Sequence, residues 1–120
     1  MSDAALILFA HGARDARWAA PFERILEQVA RAAPQRTPML AFLEFMAPSL
    51  RDAVEQQIAR GHRSIRIVPL FLGPGGHLRS DVPALVEAAQ QAHPGVVVEL
   101  SHAAGEDADV ISALALFCLR

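Results

Sequence analysis

The chain predicts an open α/β fold, a sheet of four parallel strands with helices on both faces. Three observations predict it. Four short runs, Ala5–Ala10, Met39–Glu44, Ile65–Leu72 and Val96–Leu100, are dominated by apolar residues, as in strands buried on both sides. Four stretches of helical periodicity alternate with them. Proline, glycine and small polar residues mark the joints between the two kinds of segment.

The elements follow in order. Strand one is Ala5–Ala10, and His11-Gly12 closes it. Helix one covers about Trp18–Ala33, with Phe22, Ile25, Leu26 and Val29 on one face, and Pro34 ends it. Strand two is Met39–Glu44. Helix two starts near Pro48-Ser49, where Ser49 suits an N-cap and Asp52 stands at the capping-box position. Its inward stripe is Leu50, Val54 and Ile58, and Gly61 stops it. Strand three is Ile65–Leu72, followed by a glycine-rich loop over Gly73–Ser80. Helix three runs over Asp81–Ala92 with Val82, Leu85, Val86 and Ala89 inward. Strand four is Val96–Leu100, and a last helix spans Asp107–Leu119. Right-handed crossovers make this a flavodoxin-like or Rossmann-like sheet. No linker, repeat or low-complexity segment divides it, so residues 1–120 read as one domain.

Composition narrows the function. Apolar residues make up 52% of the 120 residues, enough for a real core. No apolar run approaches the roughly 18 residues that span a bilayer. Met1-Ser2-Asp3 offers no basic region before the first apolar run, so no secretory signal is expected. A single cysteine, Cys118, cannot form an internal disulfide; a reducing cytoplasm and a packed thiol are expected. The net charge of −2, without a basic cluster, lacks the footprint of a nucleic-acid binder. All 11 basic residues are arginine. The absence of lysine excludes Schiff-base chemistry and a P-loop, and the absence of tyrosine excludes a tyrosyl acid or base. Arginine forks suit an anionic substrate, although a genome-wide composition bias would give the same count.

The candidate chemistry gathers at one edge. Ligands of open α/β sheets bind outside the carboxyl ends of the strands. His11 ends strand one there, Glu44 ends strand two, and His77 follows strand three. A carboxylate ending an apolar strand is costly to bury unpaired, so Glu44 faces solvent, a partner charge or a site. In a partly desolvated setting it is a usable proton acceptor. Gly75 and Gly76, within Gly-Pro-Gly-Gly, form a loop able to shape itself around a ligand, but match neither the P-loop nor the dinucleotide fingerprint. Arg14 and Arg79 stand close to the two histidines in sequence. His62 and His93 are expected at the surface, and His102 at the periphery of the edge. Two imidazoles and a carboxylate suit divalent Co, Ni, Fe or Zn without choosing among them.

Three blocks in order, Leu6–Arg14 (LILFAHGAR), Ala41–Leu50 (AFLEFMAPSL) and Ile67–Pro83 (IVPLFLGPGGHLRSDVP), resemble the class II tetrapyrrole chelatases, in particular the small CbiX type. The similarity covers about Leu6 to Val98. It implies one flavodoxin-like chelatase lobe, with the small form a homodimer. It implies insertion of a divalent metal, Co²⁺ first and Fe²⁺ next, into sirohydrochlorin, on the route to cobalamin or sirohaem. The family's metal-binding histidines fall on His11 and His77 and its strand-end glutamate on Glu44. The two histidines would hold or deliver the ion, and His11, His77 or Glu44 would accept the pyrrole protons. Arg14 and Arg79, with the Gly75-Gly76 loop, would receive the carboxylate-bearing macrocycle. No cofactor beyond the substrate metal is implied, and no nucleic-acid or membrane partner.

Two other readings compete. A carrier of metal or tetrapyrrole would use the same histidines without turnover. A histidine phosphatase also places His-Gly after its first strand, but it carries an arginine directly before that histidine. Ala10 stands there in this chain.

Overall fold

Successive peptide planes in β1 (Ala5–Ala10) alternate apolar side chains to both faces, and all six residues are buried. The structure, a computed structural model, describes residues 3–73 and 76–120, with the backbone alone for 76–80. Beyond β1 come α1 (Ala20–Ala32), β2 (Met39–Phe42), α2 (Leu50–Ala59), β3 (Ser64–Pro69), α3 (Gly76–Ala92), β4 (Val97–Leu100) and α4 (Ala108–Cys118). Short 3-10 turns precede α1, β2 and α4.

The four strands are all parallel and lie in the order β2-β1-β3-β4. The order reverses between β1 and β3, which makes the carboxyl ends of those two strands the switch point of the sheet. Right-handed crossovers put α1 on one face and α2 with α3 on the other. The register agrees. Ala5, Ile7 and Phe9 share a face with Ile65 and Ile67, and these pack with Leu50, Val54, Val82 and Val86 of α2 and α3. Leu6 and Leu8 face the other way, on the α1 side, and are also buried.

Among the described residues a single polar side chain, Gln57, is fully buried. Its amide nitrogen donates to the carbonyls of Thr37 at 2.7 Å and Leu6 at 3.3 Å, tying α2 to β1 and to the turn before β2. Such a group is tolerated in a core because it is satisfied. His62, expected at the surface, is half-buried beside this tie, with Nε2 2.9 Å from the Thr37 hydroxyl. It lies at the amino end of the sheet, far from the crevice.

Several boundaries differ from expectation. β2 stops at Phe42 and β3 at Pro69, because the chain leaves the ladder in bends while remaining apolar. α3 begins at Gly76, not Asp81, and contains Pro83 in its interior. Glycine-rich segments ordinarily read as loops, which is why the sequence places the start later. His77 therefore belongs to the first turn of α3 and not to a loop.

The largest difference is α4. Its main neighbour is the 3-10 turn Ala104–Glu106, and every residue from 111 to 120 is exposed, Phe117 by 65%. Cys118, expected as a packed thiol, is exposed with it. Asp107 caps α4, accepting from the backbone N–H of Asp109 and Val110. Its carboxyl is held below the ordinary carboxylate range, first by the hydrogen bond with His102 and then by the Val110 amide. A lowered folded value means that the stabilisation is present above the ordinary range and is lost as pH falls through the folded value. Acidification through that window is expected to lower the hydrogen-exchange protection factors of the Asp109 and Val110 amides, measured against their intrinsic rates. Asp107→Asn, still a good cap, should remove this pH dependence while keeping helix protection near neutral pH.

Candidate active site

The site is built by what happens just past the ladder. Beyond β1 and β2 the two chains stay in parallel contact. The Leu43 N–H donates to the Ala10 carbonyl at 3.0 Å, and the Glu44 N–H to the His11 carbonyl at 3.1 Å. This approach needs Gly12. Its φ is +96°, and a Cβ there would stand 1.9 Å from the Glu44 carbonyl oxygen. With the backbones this close, the side chains meet as well: His11 Nε2 lies 3.0 Å from Glu44 Oε2. Both are about half exposed, 47% and 48%, so the pair is open to solvent and to a ligand.

The other wall comes from the end of β3. The Leu70 N–H donates to the Phe9 carbonyl at 2.8 Å and brings the chain across the end of β1. Phe71 packs against Phe9 and presents an edge-on contact to the His11 ring at 6.3 Å between centroids. Gly105, in the turn after β4, donates to the Phe71 carbonyl at 2.8 Å and comes so close to Leu72 that a Cβ would overlap its backbone. Buried Phe71 thus fixes one side of the imidazole, while Leu72 beside it is 63% exposed.

Each expected residue has a place. His11 and Glu44 come together. His77 and Gly76 open α3, directly after the β3 exit and at the same edge. The side chains of His77 and Arg79, and Gly75 altogether, lie outside the described residues. Among the described residues no three His, Cys, Asp or Glu side chains converge on one point. Arg14 is exposed and makes no ion pair or hydrogen bond among the described residues. Its neighbour Asp15 caps the 3-10 turn at Ala16–Ala19 and is engaged by Arg17 at 2.8 Å, which lowers the Asp15 carboxyl and raises the Arg17 guanidinium. Arg14 instead stacks on Phe45, 4.6 Å from the ring centroid. His102, after β4, is 3.3 Å from the Asp107 carboxylate that caps α4, a structural role.

Phe45 escaped sequence reasoning. It follows Glu44 at φ +66°, in a turn closed by the Met46 N–H to the Glu44 carbonyl at 2.8 Å. A bulky residue in this region is strained by roughly 1–3 kcal/mol. No sequence signal gives a left-handed aromatic; the only hint is an aromatic following a strand-end carboxylate.

A parallel α/β sheet with a histidine–carboxylate pair at its carboxyl edge, beside the switch point, defines a class, the flavodoxin-like α/β proteins. Comparison narrows it. The CbiX family profile matches residues 5–116, and the chain belongs to the CbiX family. A CbiX protein of cobalamin (vitamin B12) biosynthesis from Marinobacter aquaeolei VT8 superposes with a TM-score of 0.84 at 34% identity, covering 95% of this chain and 92% of that one. The sirohydrochlorin cobaltochelatase of Methanocaldococcus jannaschii is 31% identical over 94 residues, which span 74% of this chain and 62% of that protein. The sirohydrochlorin ferrochelatase of Priestia megaterium is 26% identical over 110 residues, 92% of this chain and 41% of that protein. The chain thus spans less than two thirds of the length of both chelatases.

The close backbone approach yields a test. Gly12→Ala should destabilise by on the order of 2 kcal/mol or more in urea unfolding, through strain and collision together. Gly61→Ala is the control: φ is +95° there, but nothing lies within 4 Å of an added Cβ. Equal losses in the two variants would show that the contact between Gly12 and Glu44 carries no weight.

Proposed function

We propose that this protein inserts a divalent metal, Co²⁺ first and Fe²⁺ next, into sirohydrochlorin, and that residues 1–120 form a single chelatase lobe acting in the cytoplasm. The observation that carries the reading is the His11–Glu44 pair, half exposed at the carboxyl edge of a CbiX-family sheet, beside its switch point. The names of the Methanocaldococcus and Priestia relatives supply the reaction and the two metals.

The chemistry follows from the pair. Metalation replaces the pyrrole protons by the ion, so the enzyme must present a base beside the macrocycle. In a neutral His11 ring whose Nε2–H faces Glu44, the Nδ1 lone pair is the open acceptor. The carboxylate orients the ring and supports the positive charge that develops when Nδ1 takes a proton or holds the incoming metal. His77, in the first turn of α3, would be the second imidazole. Arg14 and Arg79 would pair with substrate carboxylates, with the backbone of the Gly75-Gly76 segment against the macrocycle. The ion is substrate here, and the reading calls for no resident cofactor.

A homodimer completes the reading. The Priestia relative is more than twice as long as its region matched by this chain, so a second copy would stand where that protein has further chain. The exposed apolar side chains of α4, including Ile111, Leu116 and Phe117, are the surface we assign to the contact. On the α1 side of the sheet, Val97 of β4 is 62% exposed and offers a place for the partner subunit's helix.

Two experiments test these statements. An anaerobic absorbance assay with sirohydrochlorin and Co²⁺, Fe²⁺ or Ni²⁺ should show turnover above the uncatalysed rate. His11→Ala and His77→Ala should each reduce it by about 100-fold or more. Binding of macrocycle or metal without turnover would favour the carrier reading, and phosphate release from a generic ester the phosphatase one. Light scattering after size exclusion should report a dimer that Leu116→Glu with Phe117→Glu converts to monomer; a monomeric parent chain would overturn the assignment of α4.

A further inference from the structure

Phe45 is a large apolar side chain that remains 56% exposed beside the candidate site. Ordinary packing would cover such a ring, and the left-handed backbone that holds it out, at φ +66°, is one that aromatic residues avoid. The arrangement is built on the same turn that positions Glu44, because the Met46 N–H closes onto the Glu44 carbonyl. Strand order places Phe45, His11 and Leu72 in sequence along the carboxyl edge, after β2, β1 and β3. Exposed apolar side chains thus stand on the segments to either side of His11.

Arg14 adds the second part. Its guanidinium is stacked over the Phe45 ring at 4.6 Å. Stacking holds the guanidinium plane while leaving its in-plane N–H groups available to an acceptor. Its acidic neighbour is not that acceptor, because Asp15 is engaged by Arg17. An apolar ring and a pre-oriented cation with no acceptor among the described residues, next to a base, match a flat ligand with an apolar face and a carboxylate fringe. A hydrated metal ion alone would need neither.

We propose that Phe45 is a substrate-positioning residue: its ring supports the apolar face of the macrocycle and holds Arg14 to clamp one peripheral carboxylate. This rests on the chelatase reading above and adds a residue to it. The ring touches no reacting atom, so its loss falls on macrocycle binding and KM more than on kcat.

The test titrates metal-free sirohydrochlorin into the full chain by absorbance and fluorescence quenching, with Co²⁺ titrated separately by calorimetry. Phe45→Ala is expected to weaken macrocycle binding about tenfold or more and to leave Co²⁺ affinity within about twofold. Phe45→Gly, which the left-handed backbone accepts without strain, should fold at least as well and lose the same binding. Phe45→Trp should restore it. Arg14→Ala should weaken sirohydrochlorin more than its neutral octamethyl ester. Wild-type binding and turnover with undiminished affinity in both Phe45→Ala and Phe45→Gly would overturn this inference and leave the chelatase reading standing. A wild type that neither binds nor metalates the macrocycle would overturn both.

Discussion

Parallel strands deliver their carbonyl ends to one edge of the sheet, and the site depends on how closely β1 and β2 approach beyond their last ladder bonds. Two further hydrogen bonds, from Leu43 to Ala10 and from Glu44 to His11, extend the pairing into the loops. Gly12 alone makes the second approach possible, since any Cβ there would collide with the Glu44 carbonyl. The ion pair, the tight turn at Phe45 and the Arg14 stack all follow from that contact. A single glycine thus determines whether histidine and carboxylate act together or as two separate surface groups.

The rigidity of the edge comes from below. Phe9, fully buried in β1, packs on Phe71, and Phe71 in turn meets the His11 ring. The core between the sheet and the α2–α3 layer therefore reaches the imidazole through two aromatic contacts. Packed side chains of this kind resist displacement, because interiors have crystal-like density. The Gly105 turn braces the same segment from the β4 side. By contrast α4 has almost no share in the core, and its apolar surface remains uncovered. One chain combines a stiff floor under the site with a helix whose apolar surface it leaves uncovered.

Much of this was legible in the sequence, for identifiable reasons. Buried parallel strands read as apolar runs, so all four strands and their order of appearance could be placed. The edge rule then brought His11 and Glu44 to one crevice although 33 residues separate them. Boundaries failed where composition and geometry part. Residues 43 and 44, like 70 to 72, keep an apolar or strand-like character after the ladder has ended. The glycine-rich run read as a loop to Ser80, whereas the helix starts at Gly76. Phe45 and the structural role of His62 were hidden because both depend on left-handed backbone at non-glycine positions, Phe45 and Thr37. No local pattern announces that conformation. Exposure of α4 was hidden as well, since an apolar helix reads alike whether its cover is the same chain or another.

On the chelatase reading, the small number of donors among the described residues of the edge has a chemical sense. A resident metal is held by a closed set of ligands, commonly four, and such a set would retain the ion. A substrate metal must be released into the product. The described residues offer one imidazole with its carboxylate, and the first turn of α3 carries a second histidine. So open a set leaves coordination positions for water on arrival and for macrocycle nitrogens on departure. Glu44 fits the same economy. Bonded to His11 Nε2, it stabilises the cationic ring without itself needing to hold the metal. A site designed for storage would bury the pair and add ligands; this one leaves both groups about half exposed, where a flat substrate can cover them and exclude water during the exchange.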